Sequence, residues 1–240
     1  MFFWLMLATA VPAYVLGSLN GAIITSKTFF RKDIRDYGSG NPGLTNFYRV
    51  FGKGGFILVV LIDVIKTIAP VMFGGWLFAH FTDMVLTEVG PLYRFFDLAY
   101  FGQVLAGFFV MLGHCFPLFY KFRGGKGVMA IGAIVIVIDW RLALIAWGVF
   151  ILVTVFTRYV SLGAITGSIA FAVSMPLLHV GGLAELNIVI LCVLLVIVRH
   201  IPNIKRLIKG EESKLVLKRK KEPDVPDLSE APDESKESDE

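Results

Sequence analysis

The stretch Asp33-Ile-Arg-Asp-Tyr-Gly-Ser-Gly-Asn-Pro-Gly-Leu-Thr-Asn-Phe-Tyr-Arg49 sets three glycines among hydroxyl, amide and guanidinium groups. Gly38, Gly40 and Gly43 permit positive φ and leave successive N–H groups open. A concave run of such amides binds anions, phosphate above all. Ser39, Asn41, Thr45 and Asn46 add neutral donors, and Arg49 offers a fork matched to phosphate oxygens. A plain linker has no need of these groups at its centre.

A second stretch, Gly113-His-Cys-Phe-Pro-Leu-Phe-Tyr-Lys-Phe-Arg-Gly-Gly-Lys-Gly127, repeats the theme. Gly124, Gly125 and Gly127 surround Lys126 just before an apolar run, so an ammonium stands among open amides at a helix start, where anions are favoured. This is not a Walker A loop, because GxxxxGK[ST] is absent. Lys121 and Arg123 read as membrane-edge anchors. Further on, Ser161 in Thr157–Gly163 suits a helix cap better than a phosphate ligand on residue type alone. His200 and Asn203 stand three apart, a spacing that shares a helical face, with Pro202 between them to bend or end the helix. His200 alone is as consistent with a structural role as with a functional one. Asp63 and Lys66 are i,i+3 neighbours inside an apolar run, where ionisable residues are costly and paired or functional. Either a structural ion pair or a substrate-facing pair fits them. His80, His114 and His179 have no ligand spacing with carboxylates or thiols, so no metal is expected. Cys115 and Cys192 lack CxxC spacing and suit small buried hydrophobes.

These groups sit between apolar runs. Of 240 residues, 56% are hydrophobic, and the mean hydropathy is +0.72, well above a soluble domain. With roughly 20 apolar residues needed per crossing, the runs predict an all-α polytopic membrane protein of about seven spans. These are placed at about 3–25, 54–80, 99–119, 127–139, 141–157, 162–180 and 186–202, the fourth and fifth meeting tightly at Asp139-Trp140-Arg141. Met1–Leu16 lacks a basic n-region, and its basic cluster Lys27, Arg31, Lys32 and Arg35 follows the run. It therefore reads as a retained helix with the N-terminus outside, not a signal peptide. Basic residues then crowd three loops and the C-terminal side, leaving Arg94 and Arg141 opposite, an asymmetry that makes the loaded face and the C-terminus cytoplasmic. The net charge of +4 follows from this topology and does not point to nucleic acid. Residues 1–210 form one transmembrane domain. Residues 211–240, charged and proline-bearing, are expected to be a disordered cytoplasmic tail, whose Lys218–Lys221 stretch either touches anionic lipid or is simply solvated.

Five stretches, DIRDYGSGNPGLTNFYR (33–49), DVIK (63–66), GHCFPLFYKFRGGKGV (113–128), RYVSLG (158–163) and RHIPNIKRLIKGEE (199–212), occur in order across most of the chain. In them the sequence resembles the bacterial integral-membrane acyl-phosphate:glycerol-3-phosphate acyltransferases. It departs at Leu44, where relatives usually carry alanine, and at Met129-Ala130, where alanine-threonine is common. The resemblance implies acyl transfer from acyl phosphate to glycerol 3-phosphate, giving 1-acyl-glycerol 3-phosphate and phosphate in phospholipid biosynthesis. It implies an inner-membrane enzyme with a cytoplasmic active site and no cofactor. By resemblance Ser39, Arg49, Lys126, His200 and Asn203 are catalytic. Gly38, Gly40, Asn41, Gly43, Thr45, Asn46, Lys66, Gly125 and Ser161 are expected to bind substrate or phosphate.

The chain has neither an HxxxxD pair nor a GxSxG elbow. A substrate phosphate oxygen is therefore expected to take the proton of the attacking hydroxyl, with His200 orienting substrate. Two competing classes are weaker. An organic-anion transporter would show an internal repeat and midplane polar groups, and a CDP-alcohol phosphotransferase would cluster aspartates that here stand apart as Asp33, Asp36 and Asp63.

Overall fold

The computed structural model describes residues 1–90 and 97–215. Arg94, Lys218–Lys221 and most of the expected tail lie outside these residues. Eleven α-helices occur among the described residues, and no strand. They are α1 (Phe2–Gly17), α2 (Gly21–Phe30), α3 (Leu44–Phe51), α4 (Phe56–His80), α5 (Thr82–Val89), α6 (Leu98–Cys115), α7 (Val128–Ile138), α8 (Trp140–Thr157), α9 (Val160–Leu177), α10 (Leu183–Arg199) and α11 (Ile201–Ile208).

Among the described residues five helical stretches are long and apolar enough to cross a bilayer: 2–30, 56–80, 98–120, 140–157 and 160–177. The pair α10–α11, bent by 56°, makes a sixth. The remaining expected span is α7, whose 11 residues rise about 17 Å against a hydrocarbon core of roughly 30 Å. It stops at Asp139, whose carboxylate accepts from Arg141 N at 2.7 Å and caps α8, so the tight pair expected there is present. Large apolar side chains cover the outside of the bundle, with Phe156 82%, Leu177 72% and Ile57 71% exposed. Water would not tolerate such a surface; lipid does.

Helices α1, α4, α7 and α10 pack on α6. Without a hydrophobic force between helices in lipid, close backbone approach supplies much of the cohesion. Gly74 and Gly102 show how: a Cβ on Gly102 would stand 2.1 Å from the Gly74 carbonyl oxygen.

The polar interior begins where the first stretch breaks at Ser18–Asn20. Asn20 restarts the helix, its Oδ1 accepting from Ile23 N at 2.9 Å. The break leaves backbone groups that lipid cannot satisfy, and α4 satisfies them. Asp63 Oδ1 accepts from Gly21 N at 3.1 Å, while Lys66 donates to the Leu19 carbonyl and pairs with Asp63 at 2.7 Å. Lys66 gives its third N–H to His114 Nδ1 at 2.9 Å. The pair is therefore a clasp between a broken helix and its neighbour, and both side chains are almost wholly buried. Removing one partner strands the other charge, which costs about 3–5 kcal/mol. Lys66→Met should accordingly lower the thermal unfolding midpoint in detergent sharply, and Asp63→Asn with Lys66→Met should recover part of the loss; fluorescence-detected size-exclusion melts measure both.

Candidate active site

The loop 31–43 starts at Arg31, which ends α2 with φ 51°, and is pinned by Asp33 and Arg35. The Arg35 guanidinium bonds both Asp33 oxygens, at 2.9 and 2.7 Å, and holds that carboxyl well below the usual carboxylate range. Its other arm donates to the Tyr120 carbonyl at 3.0 Å and so ties this loop to the next. Asn20 Nδ2 donates to the Pro42 carbonyl at 3.1 Å, fastening the loop's far end to the helix break. Gly38 takes φ +59°, and a Cβ there would meet Asn46 Oδ1 at 2.4 Å. That oxygen instead accepts from Ser39 N at 2.9 Å, while Asn46 Nδ2 donates to the Tyr37 carbonyl at 3.0 Å. Asn46 thus shapes the glycine loop with both ends of its amide. The loop ends in α3, whose Phe47 packs on Phe30 and Phe51 while Arg49 faces the opposite way.

The second loop leaves α6 at Cys115 and returns at Gly127, whose φ of +79° starts α7. Arg199 on α10 holds it, donating to the carbonyls of Gly125 at 3.0 Å and Gly124 at 2.8 Å, with its guanidinium over the Phe116 ring. Lys126 Nζ donates to Asn203 Oδ1 at 2.6 Å. Asn203 Nδ2 in turn donates to Glu212 Oε1 at 2.6 Å, and Ser161 Oγ donates to the same oxygen at 2.7 Å. Arg206 Nε bonds Glu212 Oε2 at 2.7 Å. Burial pulls the Glu212 carboxyl up, but the bonds from Asn203, Ser161 and Arg206 outweigh it and hold the group ionised.

These segments enclose one open cavity of about 1670 Å³. Ser39, Gly40, Asn41, Gly43, Thr45, Asn46 and Arg49 line it from the first loop, Lys126 from the second, Ser161 from α9, and His200 and Asn203 from the bend between α10 and α11. His200 Nδ1 donates to the Val196 carbonyl at 2.8 Å, so its tautomer is set by its own helix. Gly38, Gly125 and Lys66 stand behind the wall. For Lys66 the reason is that its three donors already serve Asp63, Leu19 and His114. Ser161 does not cap its helix; Tyr159 occupies the cap position without a side-chain bond, and the Ser161 hydroxyl turns to Glu212.

Residue types alone pass over three of the groups found here. Glu212 sits inside a charged run that reads as tail, yet residues 211–215 fold back on the site, with Leu215 N donating to the Arg158 carbonyl at 2.7 Å. Arg199 and Arg206 look like topological charges until α10 and α11 bend them over the loops.

Charge in the cavity is unbalanced. Lys126 is pushed down to about 8, first by burial; Arg206, Arg199 and Arg49 add to the lowering and Glu212 opposes it. Among the described residues Arg49 has no ion-pair partner. Cations that repel one another at a half-buried wall need an anion. Beside them, Val128, Trp147, Phe150 and Ala164 continue the wall into an apolar groove between α7, α8 and α9, reaching Phe171.

An all-helical membrane protein with a cation-lined chamber and an adjoining apolar groove has room for a charged group beside an apolar chain. Residues 7–210 match the glycerol-3-phosphate acyltransferase family model. Relatives so named include that of Thermoanaerobacter pseudethanolicus, 38% identical over 207 residues, covering 86% of this chain and 94% of that one. Another, from Staphylococcus carnosus, is 36% identical over 203 residues, covering 85% and 94%. Two crystal structures of PlsY (YgiH), an integral membrane glycerol 3-phosphate acyltransferase, share the fold. The glycerol 3-phosphate form has TM-score 0.71 at 29% identity over 88% of this chain and 96% of that one, and the lysophosphatidic acid form 0.70 at 27% over 88% and 95%. The chain belongs to the glycerol-3-phosphate acyltransferase family, as its five sequence stretches imply.

Two predictions follow from the site's electrostatics. Lys126 is a cation only below its pKa, so kcat/KM for glycerol 3-phosphate should fall as pH rises through about 8, the free-enzyme value. A bound phosphate favours the ammonium, so kcat should hold to higher pH; pH profiles of the wild type and Lys126→Arg, whose charge persists, check this. Glu212→Gln keeps acceptor and shape, while Glu212→Ala frees Ser161, Asn203 and Arg206 together. Initial rates should show Glu212→Ala lower than Glu212→Gln, the Ala loss being on the order of 100-fold.

Proposed function

We propose that the chain transfers an acyl group from acyl phosphate to the 1-hydroxyl of glycerol 3-phosphate, releasing inorganic phosphate. The observation that carries this reading is the pairing of unneutralised cations, Arg49 and Lys126, with an adjoining apolar groove. Both substrates bring a phosphate; only one brings a long apolar chain.

The donor is already activated. Attack by the glycerol oxygen on the acyl carbonyl carbon forms the ester bond and breaks the carbon–oxygen bond to phosphate, which leaves with the electron pair. A phosphate oxygen accepts the hydroxyl proton, so no side-chain base is required. That agrees with His200, whose Nδ1 hydrogen bond to Val196 suits an orienting role. The protein's part is positioning and charge stabilisation. Lys126 in the Gly124–Gly127 loop would hold one phosphate, Arg49 with the Ser39–Asn41 loop the other, and Ser161, His200 and Asn203 would align the glycerol unit. Gly125 shapes its loop from behind, as Gly38 does for the first loop.

For topology we favour seven spans, α7 being the short one, with the N-terminus outside. The basic loops 27–53, 121–126 and 199–214 would then face the cytoplasm of the bacterial inner membrane. The product, 1-acyl-glycerol 3-phosphate, is a lipid precursor and can leave sideways along the groove.

Purified protein incubated with labelled glycerol 3-phosphate should form lysophosphatidic acid from acyl phosphate and not from acyl-CoA or acyl carrier protein; equal use of either thioester would overturn the donor assignment. Lys126→Ala, with melting unchanged, should lose about 100- to 1000-fold in kcat/KM, as for removal of one charge-stabilising donor.

A further inference from the structure

His114 is absent from the roles above, yet its position is unusual. It lies near the end of α6, is only 3% exposed, and contributes to the cavity wall. Its Nδ1 stands 2.9 Å from Lys66 Nζ. An ammonium can only donate, so Nδ1 accepts and the ring proton of the neutral imidazole must sit on Nε2. Asp63 and the Leu19 carbonyl hold Lys66 in place, so the tautomer is set by a clasp that is itself buried and rigid.

Nε2 points at the second glycine loop. A Cβ on Gly125 would come within 2.2 Å of it, so only glycine lets the loop pass this close. Gly125 N also donates to the His114 carbonyl at 3.0 Å, which fixes loop and ring to the same residue. Among the described residues Nε2 has no hydrogen-bond partner, and it is not among the sealed, unsatisfied polar atoms. The N–H is therefore a preset donor without a protein partner among the described residues, on a ring that lines the cavity together with Lys126.

We propose that His114 is a substrate-contacting residue whose Nε2–H donates to a phosphoryl oxygen held at the Gly124–Lys126 loop. The contact adds a neutral, directed donor to the point charge of Lys126, and it carries no proton in the reaction. The break in the first helix, the Asp63–Lys66 clasp and the substrate are thereby linked in one line. This rests on the phosphate chemistry proposed above, and glycerol 3-phosphate and acyl phosphate are the two candidate sources of the oxygen.

Two isosteres separate the ring's two jobs. In His114→Asn the amide oxygen stands where Nδ1 stands, so Lys66 keeps its acceptor while the Nε2 donor is lost. In His114→Gln the amide nitrogen reaches the Nε2 position. His114→Asn should melt close to wild type while KM for one substrate rises roughly 10- to 100-fold, the worth of a hydrogen bond to a charged group. His114→Gln should restore that KM. Whichever substrate is affected is the one whose phosphate the loop holds. Unchanged KM for both substrates in a stable His114→Asn protein, or a loss in kcat alone, would overturn the proposal.

Should the variants fail to fold, nitrogen-15 spectra of histidine-labelled wild type give the same answer. The His114 signals, assigned by elimination with variants at the other three histidines, should report an Nε2–H tautomer that shifts on adding glycerol 3-phosphate or inorganic phosphate. No shift with either overturns the contact. Wild type inactive with acyl phosphate but showing the shift would sink the donor assignment and leave His114 standing.

Discussion

Positive charge that the protein does not neutralise is the constraint on which the rest of this structure turns. Arg49, Lys126, Arg199 and Arg206 approach one chamber, and Glu212 opposes them through Arg206, Ser161 and Asn203. Bringing like charges together at a half-buried wall is unfavourable by itself; Lys126 is lowered first by burial, and Arg206, Arg199 and Arg49 add to that lowering. An anionic ligand reverses the sign, because each cation then gains a partner at short range. In the reaction proposed above, the same arrangement would favour phosphate binding and stabilise charge on the departing phosphate.

Holding that chamber open in a lipid environment needs irregular backbone, and irregular backbone in lipid needs partners. The protein meets the need with side chains from neighbouring helices. Asp63 and Lys66 serve the break at Ser18–Asn20, Arg35 joins the first loop to the second, and Arg199 carries the second loop's carbonyls. Each ionisable group in this set is engaged by backbone or by an opposite charge, and Lys66 by His114 as well. Of the groups that line the cavity, Arg49 and the Nε2 edge of His114 are left without a partner among the described residues. Structural and functional charges are distinguished by what remains free on them, not by how deeply they are buried.

Much of this was legible in the residues, and the exceptions have physical causes. Apolar runs show the helices because lipid imposes a minimum length; α7, which stops short, and the bent pair α10–α11 leave the count of crossings open by that criterion. The two glycine loops read as an anion site because glycine, amide donors and cations coincide; the structure brings Arg49 and Lys126 to one cavity, while the amides of Ser39, Gly40, Gly43 and Gly125 are taken by other acceptors of the protein. Lys66 could not be resolved, since an i,i+3 spacing to Asp63 describes a structural pair and a substrate-facing pair equally; the tertiary contact with Leu19 separates them. Ser161 looked like a cap because local spacing cannot foresee a carboxylate 51 residues away. Glu212 was read as tail because composition averages over a window, whereas one buried carboxylate depends on the bend at His200 that brings α11 and its continuation back over the loops.

The proposed chemistry requires that three loops far apart in sequence meet at one face of the membrane. Cys115 and Cys192 are buried, so single exposed cysteines can be introduced at Asp36, Lys121 and Lys209, with Trp140→Cys marking the opposite end. Labelling with a membrane-impermeant thiol reagent in right-side-out and inverted vesicles measures the side directly. The first three should label only in inverted vesicles and the fourth only in right-side-out ones. Labelling of Asp36→Cys and Lys121→Cys from opposite sides would contradict the account, because no chamber could then contain both Arg49 and Lys126.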